Sequence, residues 1–325
     1  MGDVAVTDTD TLATALLRGE RGAVAVALNL IDDHRAPARE AASSLLTALA
    51  EQNAGSNSHL IGMTGPPGAG KSTLGAALLR HWRAAGLTVG VLAVDPSSPV
   101  SGGALLGDRL RMQIDDKDAG VFVRSLSNRG EYGGLSSEVW PMSQVMLAAF
   151  NVVLVETVGV GQREVDVSGV CDTTCYVAQP GSGDSIQFIK AGILEVPHIL
   201  VVNKQDMGEV AERTRAELVS TLSRDHPDGN WHVPVLATSA TRNTGIAGLA
   251  DTLRAHRQSL AEAGQLGTVR REHQANWVVK QLEQEFGRFG LNKLGGAQQV
   301  HAALIDGPRN PFEQYALLRE DISSR

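Results

Sequence analysis

Three short motifs carry side chains able to handle a nucleoside triphosphate. Gly65-Pro66-Pro67-Gly68-Ala69-Gly70-Lys71-Ser72, with Thr73 after it, fits the G-x-x-x-x-G-K-[ST] pattern. Glycines there let backbone N–H groups turn inward around a phosphate, and a helix starting at the lysine adds its positive end. Lys71 can reach the β- and γ-phosphates, and the Ser72 hydroxyl can ligate Mg²⁺. Asn203-Lys204-Gln205-Asp206 is an N-K-x-D motif. Its carboxylate can accept from both the ring N–H and the exocyclic amine of guanine, donors that adenine does not present in that geometry. Lys204 lays its stem along the base, and Thr238-Ser239-Ala240 backs the same base. Between these motifs, Glu156 ends an apolar run where a carboxylate commonly holds Mg²⁺. Gly159 stands three residues on, where a switch glycine N–H senses the γ-phosphate. Asp95, ending another apolar run, falls beside the phosphates. The glycine-rich stretch 101–109 is either a nucleotide-sensing switch with Asp108 near Mg²⁺ or an ordinary surface loop. Each motif alone is a weak signal. Their order and spacing together point to binding and hydrolysis of GTP, with Lys71, Asp108, Glu156 and Gly159 as the catalytic candidates.

The elements around the motifs must place them at one edge of a sheet. Residues 59–63 read as a buried strand before the phosphate loop, and Leu74, Leu78 and Leu79 after it have helical spacing. Further strands are expected at 88–94, 121–124, 151–156, 173–179, 198–202 and 233–237. A helix is expected at 139–150. This alternation means an α/β fold: a mostly parallel central sheet flanked by helices, with nucleotide groups at the carboxyl ends of the strands. Residues 1–55 read as a helical N-terminal extension with Pro37 at a helix start. Residues 56–257 then form the nucleotide domain, and 258–325 a helical C-terminal arm. Trp277, Val278, Leu282, Phe286 and Phe289 make one apolar stripe on that arm, suited to core or to a dimer seam.

Bulk properties narrow the partners. The 325 residues suffice for a full core, and a net charge of −7 argues against a dedicated nucleic-acid binder. No apolar run approaches a bilayer span, so no membrane partner is expected. An acidic N-terminus without an apolar h-region, and only two cysteines, suit a cytoplasmic placement. Cys171 and Cys175 sit at a strand entry and read as structural thiols. The nine histidines are scattered and suggest no zinc or catalytic constellation.

At Val155-Glu156-Thr157-Val158-Gly159-Val160-Gly161-Gln162 the chain resembles the MeaB/ArgK family, the methylmalonyl-CoA mutase-associated GTPases, also known as LAO/AO transport-system kinases. The phosphate loop, Val94-Asp95-Pro96-Ser97-Ser98 and Gly107-Asp108-Arg109 share the likeness. The resemblance implies a P-loop NTPase of the SIMIBI type with GTP or GDP and Mg²⁺ as cofactors, and Asp95, Asp108 and Glu156 match the family's metal-site carboxylates. It implies a homodimer built through the C-terminal arm. It also implies an adenosylcobalamin-dependent methylmalonyl-CoA mutase as partner, whose cofactor loading the GTPase gates and which it protects. Asp184, Gln187 and Lys190 align with a loop that the family uses to signal to the mutase, whereas Ser185, Phe188 and Ala191 depart from its pattern. Two other readings are a nickel-insertion GTPase, for which the chain lacks a Cys/His cluster, and a transport-protein kinase, for which no acceptor base stands out. Val160 occupies the place where many small GTPases carry a water-orienting glutamine, so hydrolysis by the chain alone should be slow.

Overall fold

The computed structural model describes residues 8–95, 118–127, 136–157, 166–181, 197–222, 231–307 and 310–324. In chain order the elements begin with α1 (Thr9–Leu17), α2 (Arg21–Asp32), α3 (Ala36–Glu51), β1 (His59–Thr64), α4 (Lys71–Ala84) and β2 (Val89–Asp95). Next come β3 (Val121–Ser127), α5 (Val139–Ala149), β4 (Val152–Thr157), β5 (Thr173–Ala178) and β6 (Ile199–Val202). The chain closes with α6 (Glu209–Leu222), β7 (Val235–Ala237), α7 (Ile246–Glu262), α8 (Leu266–Lys293), α9 (Ala297–Ile305) and α10 (Pro311–Ser324).

The seven strands form one sheet in the order β3-β2-β4-β1-β5-β6-β7, and every pairing is parallel. Parallel strands must be covered on both faces, which explains why every residue of β1, β4, β5 and β6 is buried. The period of two then sorts the faces. Ile61, Met63, Cys175, Val177, Ile199 and Val201 pack with α4 and α7. Tyr176, Ala178, Leu200 and Val202 pack with α6. The α/β architecture expected from the alternation is therefore the one observed.

The amino ends of three central strands meet in a polar cluster that the scattered histidines did not announce. Thr173 Oγ1 lies 2.7 Å from His59 Nε2 and 2.8 Å from His256 Nδ1. A hydroxyl has one proton, so it donates to one ring and accepts an N–H from the other. The His198 ring sits 4.2 Å from that of His256, and Trp231 meets His256 edge-on at 4.8 Å. Asp172 accepts from the Leu60 N–H at 2.9 Å, and His198 Nδ1 accepts from Thr174 N–H at 2.9 Å. Among the described residues no group of three or more His, Cys, Asp or Glu is arranged to hold a metal. Cys171 and Cys175 are free and buried.

By packing, the described parts of His59–Ser136 and Asn151–Leu266 form the sheet unit. The described parts of Met1–Ser58, Ser137–Phe150 and Gly267–Arg325 form a second, helical unit. Thus α5, placed by its sequence among the helices of the nucleotide domain, groups with both terminal helical stretches. Leu16, Leu28, Leu45, Val278 and Leu282 are among its fully buried residues. Pro37 stands in the first turn of α3, as its fixed φ favours. The apolar stripe of the arm does not run through as expected. Within α8, Gly287 has φ 63° and ψ −174°, which breaks the helical spacing, and Phe289 beyond it is 76% exposed. No described helix is long and apolar enough to cross a membrane.

Candidate nucleotide site

The phosphate loop joins β1 to α4, and its glycines are required by close approaches. Gly65 has φ 137°, and a Cβ there would lie 2.2 Å from the Val177 carbonyl oxygen of β5. Gly70 has φ 89°, and a Cβ would lie 2.5 Å from Asn203 Nδ2. Any side chain at either position must displace backbone or a buried amide. Lys71 opens α4 and is buried. Its ammonium donates to the Gly65 carbonyl at 2.7 Å and the Pro66 carbonyl at 3.0 Å. The charge is thereby held over the loop, within reach of any phosphate that the loop encloses.

Ser72 Oγ donates to Glu156 Oε1 at 2.6 Å. Strand register explains the meeting. Glu156 pairs with Met63 of β1 on one side and Ala93 of β2 on the other. It therefore sits at the carboxyl edge beside the start of α4, and Asp95 ends the neighbouring strand. A hydroxyl and a buried carboxylate in contact form the hard oxygen donor set that Mg²⁺ takes, so the residues fit that ion. Thr157 Oγ1 donates to Thr64 Oγ1 at 3.1 Å and links the same two strands one residue further on.

The base-reading motif is tied directly to the phosphate loop. Asn203, 2% exposed, donates from Nδ2 to the Ala69 carbonyl at 3.0 Å. Its Oδ1 accepts from Thr238 Oγ1 at 3.2 Å and from the Ala240 N–H at 3.3 Å. One carboxamide thus joins the loop after β1, the end of β6 and the loop after β7. Lys204 turns the chain through a left-handed conformation, φ 60°, into the short 3-10 turn Gln205–Met207 that presents Asp206. Ser239 Oγ donates to Asp206 Oδ1 at 2.6 Å. That bond, more than the fields of Arg242 and Lys204, holds the Asp206 carboxyl below the usual carboxylate range. The exposed carboxylate stays ionised and aimed, as a double acceptor for guanine requires.

Lys71, Ser72, Glu156, Asn203, Asp206 and Ser239 therefore converge at one edge of the sheet. Asp108, Gly159, Asp184, Gln187 and Lys190 lie outside the described residues, as does the side chain of Asp95. One neighbour was not singled out in the sequence. Gln179, just past β5, would have its Oε1 3.1 Å from a Cβ on Gly68, so its carboxamide lies against the phosphate loop. No motif marks it, because its position depends on the β1–β5 register.

A phosphate loop of this geometry, a strand-end carboxylate beside it and an N-K-x-D turn across the same edge are the arrangement of a P-loop GTPase. The comparisons agree and are more specific. The chain belongs to the MeaB family: the family model described as methylmalonyl Co-A mutase-associated GTPase MeaB matches residues 24–289. Escherichia coli GTPase ArgK is 36% identical over 288 residues, 85% of this chain and 85% of that one. The mouse mitochondrial methylmalonic aciduria type A homolog is 32% identical over 333 residues, covering 97% of this chain and 80% of its own. Among solved structures, that of an LAO/AO transport system kinase superposes with a TM-score of 0.69 at 26% identity, covering 98% of this chain and 99% of the other.

Proposed function

We propose that this GTPase is a nucleotide-controlled chaperone for an adenosylcobalamin-dependent methylmalonyl-CoA mutase, gating cofactor loading and protecting the mutase. The family's description as mutase-associated carries the reading, and the name of the mouse relative points the same way. In this reading Lys71 exchanges the Gly65 and Pro66 carbonyls for β- and γ-phosphate oxygens, while the loop N–H groups hold the same phosphates. Asp206 accepts from guanine, and Asn203 keeps the base-reading turn and phosphate loop in one register. Ser72 and Glu156, with Asp95 and Asp108, would hold Mg²⁺, which would supply charge neutralisation at the phosphates.

Residue 160 is a valine, without a hydrogen-bonding group to place water beside the switch glycine Gly159. Turnover by the chain alone is then roughly 10⁻⁴ to 10⁻² s⁻¹, and the mutase supplies what is missing. Asp184, Gln187 and Lys190 are the proposed relay to it. We place the protein in the cytoplasm as a homodimer joined through residues beyond 258. The test is GTP turnover with and without purified mutase, beside adenosylcobalamin transfer in GDP and non-hydrolysable GTP states. The expected result is turnover about 150-fold faster with mutase, equivalent to roughly 3 kcal/mol of transition-state stabilisation, and transfer that differs between the nucleotide states. Fast turnover by the chain alone, or indifference to the mutase, would overturn the reading.

A further inference from the structure

The helical unit encloses a cavity of about 450 Å³ between the α2–α3 turn, the start of α5, the middle of α8 and the first turns of α10. One wall is aromatic. Trp277 stacks on Trp140 with ring centroids 5.4 Å apart, Phe312 lies 4.9 Å from Trp277, and Tyr315 also lines the space. The Trp277 indole N–H donates to the Ser137 carbonyl at 2.8 Å, which fixes that ring.

Charge in the lining is unequal: five carboxylates face two guanidiniums. One guanidinium is paired with a carboxylate, and the other meets a histidine ring that supplies no counter-charge. Arg319 Nε bonds Glu285 Oε1 at 2.7 Å, and Arg39 Nη2 lies 3.2 Å from His34 Nδ1. Two carboxylates are engaged as well. Asp33 bonds Arg35 Nε at 2.9 Å, and Glu138 accepts from Ser137 Oγ at 3.0 Å beside His34. The other three, Glu40, Glu313 and Glu320, make no ion pair within 4.0 Å among the described residues. Uncompensated charge around this cavity is therefore negative, and its wall presents ring faces whose quadrupole also attracts a cation.

We propose that the cavity receives an arginine or lysine side chain, with an apolar neighbour, from a partner polypeptide. The stem of such a side chain covers the Trp277 and Phe312 rings while its head reaches the rim carboxylates. An anionic segment would meet three unpaired carboxylates, and a neutral one would leave them without a counter-charge. The inference holds whichever protein supplies the segment, so it does not depend on the mutase.

The probe is the blocked tripeptide acetyl-Leu-Arg-Leu-amide, titrated calorimetrically into the full chain beside its citrulline isostere, which keeps the shape and loses the charge. The arginine peptide should saturate with a dissociation constant in the roughly millimolar range or tighter. The citrulline peptide should bind about tenfold more weakly. The paired substitution Glu313→Gln with Glu320→Gln, both on the exposed face of α10, should weaken the arginine peptide about fivefold without changing the melting temperature. Equal binding of the two peptides, indifference to the paired substitution, or no saturation below about 20 mM would overturn the proposal. Free tetramethylammonium binding as tightly as the peptide would overturn the polypeptide assignment in favour of a small cation.

Discussion

β1, β5 and β6 carry polar groups at both ends, and the two ends treat charge in opposite ways. At the carboxyl edge Asp206 is exposed, and a hydroxyl from Ser239 holds its carboxyl below the usual range. At the amino edge His256 is 2% exposed, and burial, with the fields of His198 and His59 against that of Asp172, pulls its imidazole down to about 3. Both values fall, but the first shift favours the ion and the second forbids it. The carboxyl edge keeps the Asp206 charge exposed, whereas the amino edge holds the His256 ring neutral, hydrogen-bonded to Thr173. Function and fold thus use the same strands from opposite ends.

The sharpest way to break this contrast is at Lys71. If its charge serves phosphates and not the fold, Lys71→Ala should weaken GTP binding on the order of 1000-fold, since two charge-assisted phosphate contacts disappear. The unliganded melting temperature should hardly move, because the lysine serves the phosphates as a point charge that the fold does not need. Calorimetric titration and a melting curve check both halves, and a variant that melts early would assign Lys71 to the structure instead. Next in size is Asp206→Asn. An amide offers guanine a donor where an acceptor is required, so GDP affinity should fall roughly 100-fold, with preference shifting to xanthosine nucleotides. Unchanged GDP affinity would remove Asp206 from base recognition.

Much of the carboxyl edge was legible because its residues are contiguous. A phosphate loop needs eight neighbours in a row, and a base-reading turn needs four. The amino edge was not legible for the converse reason. His59, Thr173, His198 and His256 come from four separate segments, brought together by the β1–β5–β6 order and by α7 packed on those strands. The same holds for Gln179, placed by strand register, and for α5, whose apolar sequence suits a helix in either unit. Phe289 leaves the face of Leu282 because the positive φ of Gly287 interrupts the helical spacing between them, and a glycine inside a helical pattern does not show that in sequence. Pattern survives in sequence where neighbours along the chain do the work, and disappears where pairing across the sheet does it.

The amino edge yields the third prediction. His256 is depressed to about 3 when folded, against about 6.5 when unfolded, so the unfolded chain takes the proton first. Stability should be constant above about pH 7 and fall as pH drops through 6.5 toward 3, by about 2 kcal/mol at pH 5 from this group alone. His59, His198 and Asp172 face the same ring and modulate the slope. Urea denaturation at pH 7 and pH 5 measures the effect, and His256→Gln, which cannot titrate, should lose correspondingly less on acidification. An identical loss in variant and wild type would place acid sensitivity elsewhere.

The smallest expected effect returns to the carboxyl edge and separates charge from aim. Ser239 is 2% exposed, donates to Asp206 and accepts from the Arg242 N–H at 3.3 Å, so its hydroxyl fixes the carboxylate against the turn after β7. Ser239→Ala removes the largest cause of the lowered Asp206 pKa, which should rise toward its ordinary value. Even so, the carboxyl remains ionised at pH 7, since an ordinary aspartate titrates near 4. GDP binding at pH 7 should therefore weaken only about fivefold, the worth of one lost orienting hydrogen bond. The acid limb should move as well. A folded-state pKa closer to that of a free carboxyl means protonation, and loss of the guanine acceptor, at a higher pH than in wild type. GDP affinity measured from pH 7 down to pH 4 distinguishes the two contributions. A fivefold loss that stays constant across the range would mean that Ser239 only aims the carboxylate. A loss growing toward low pH would mean that it also keeps the charge in place.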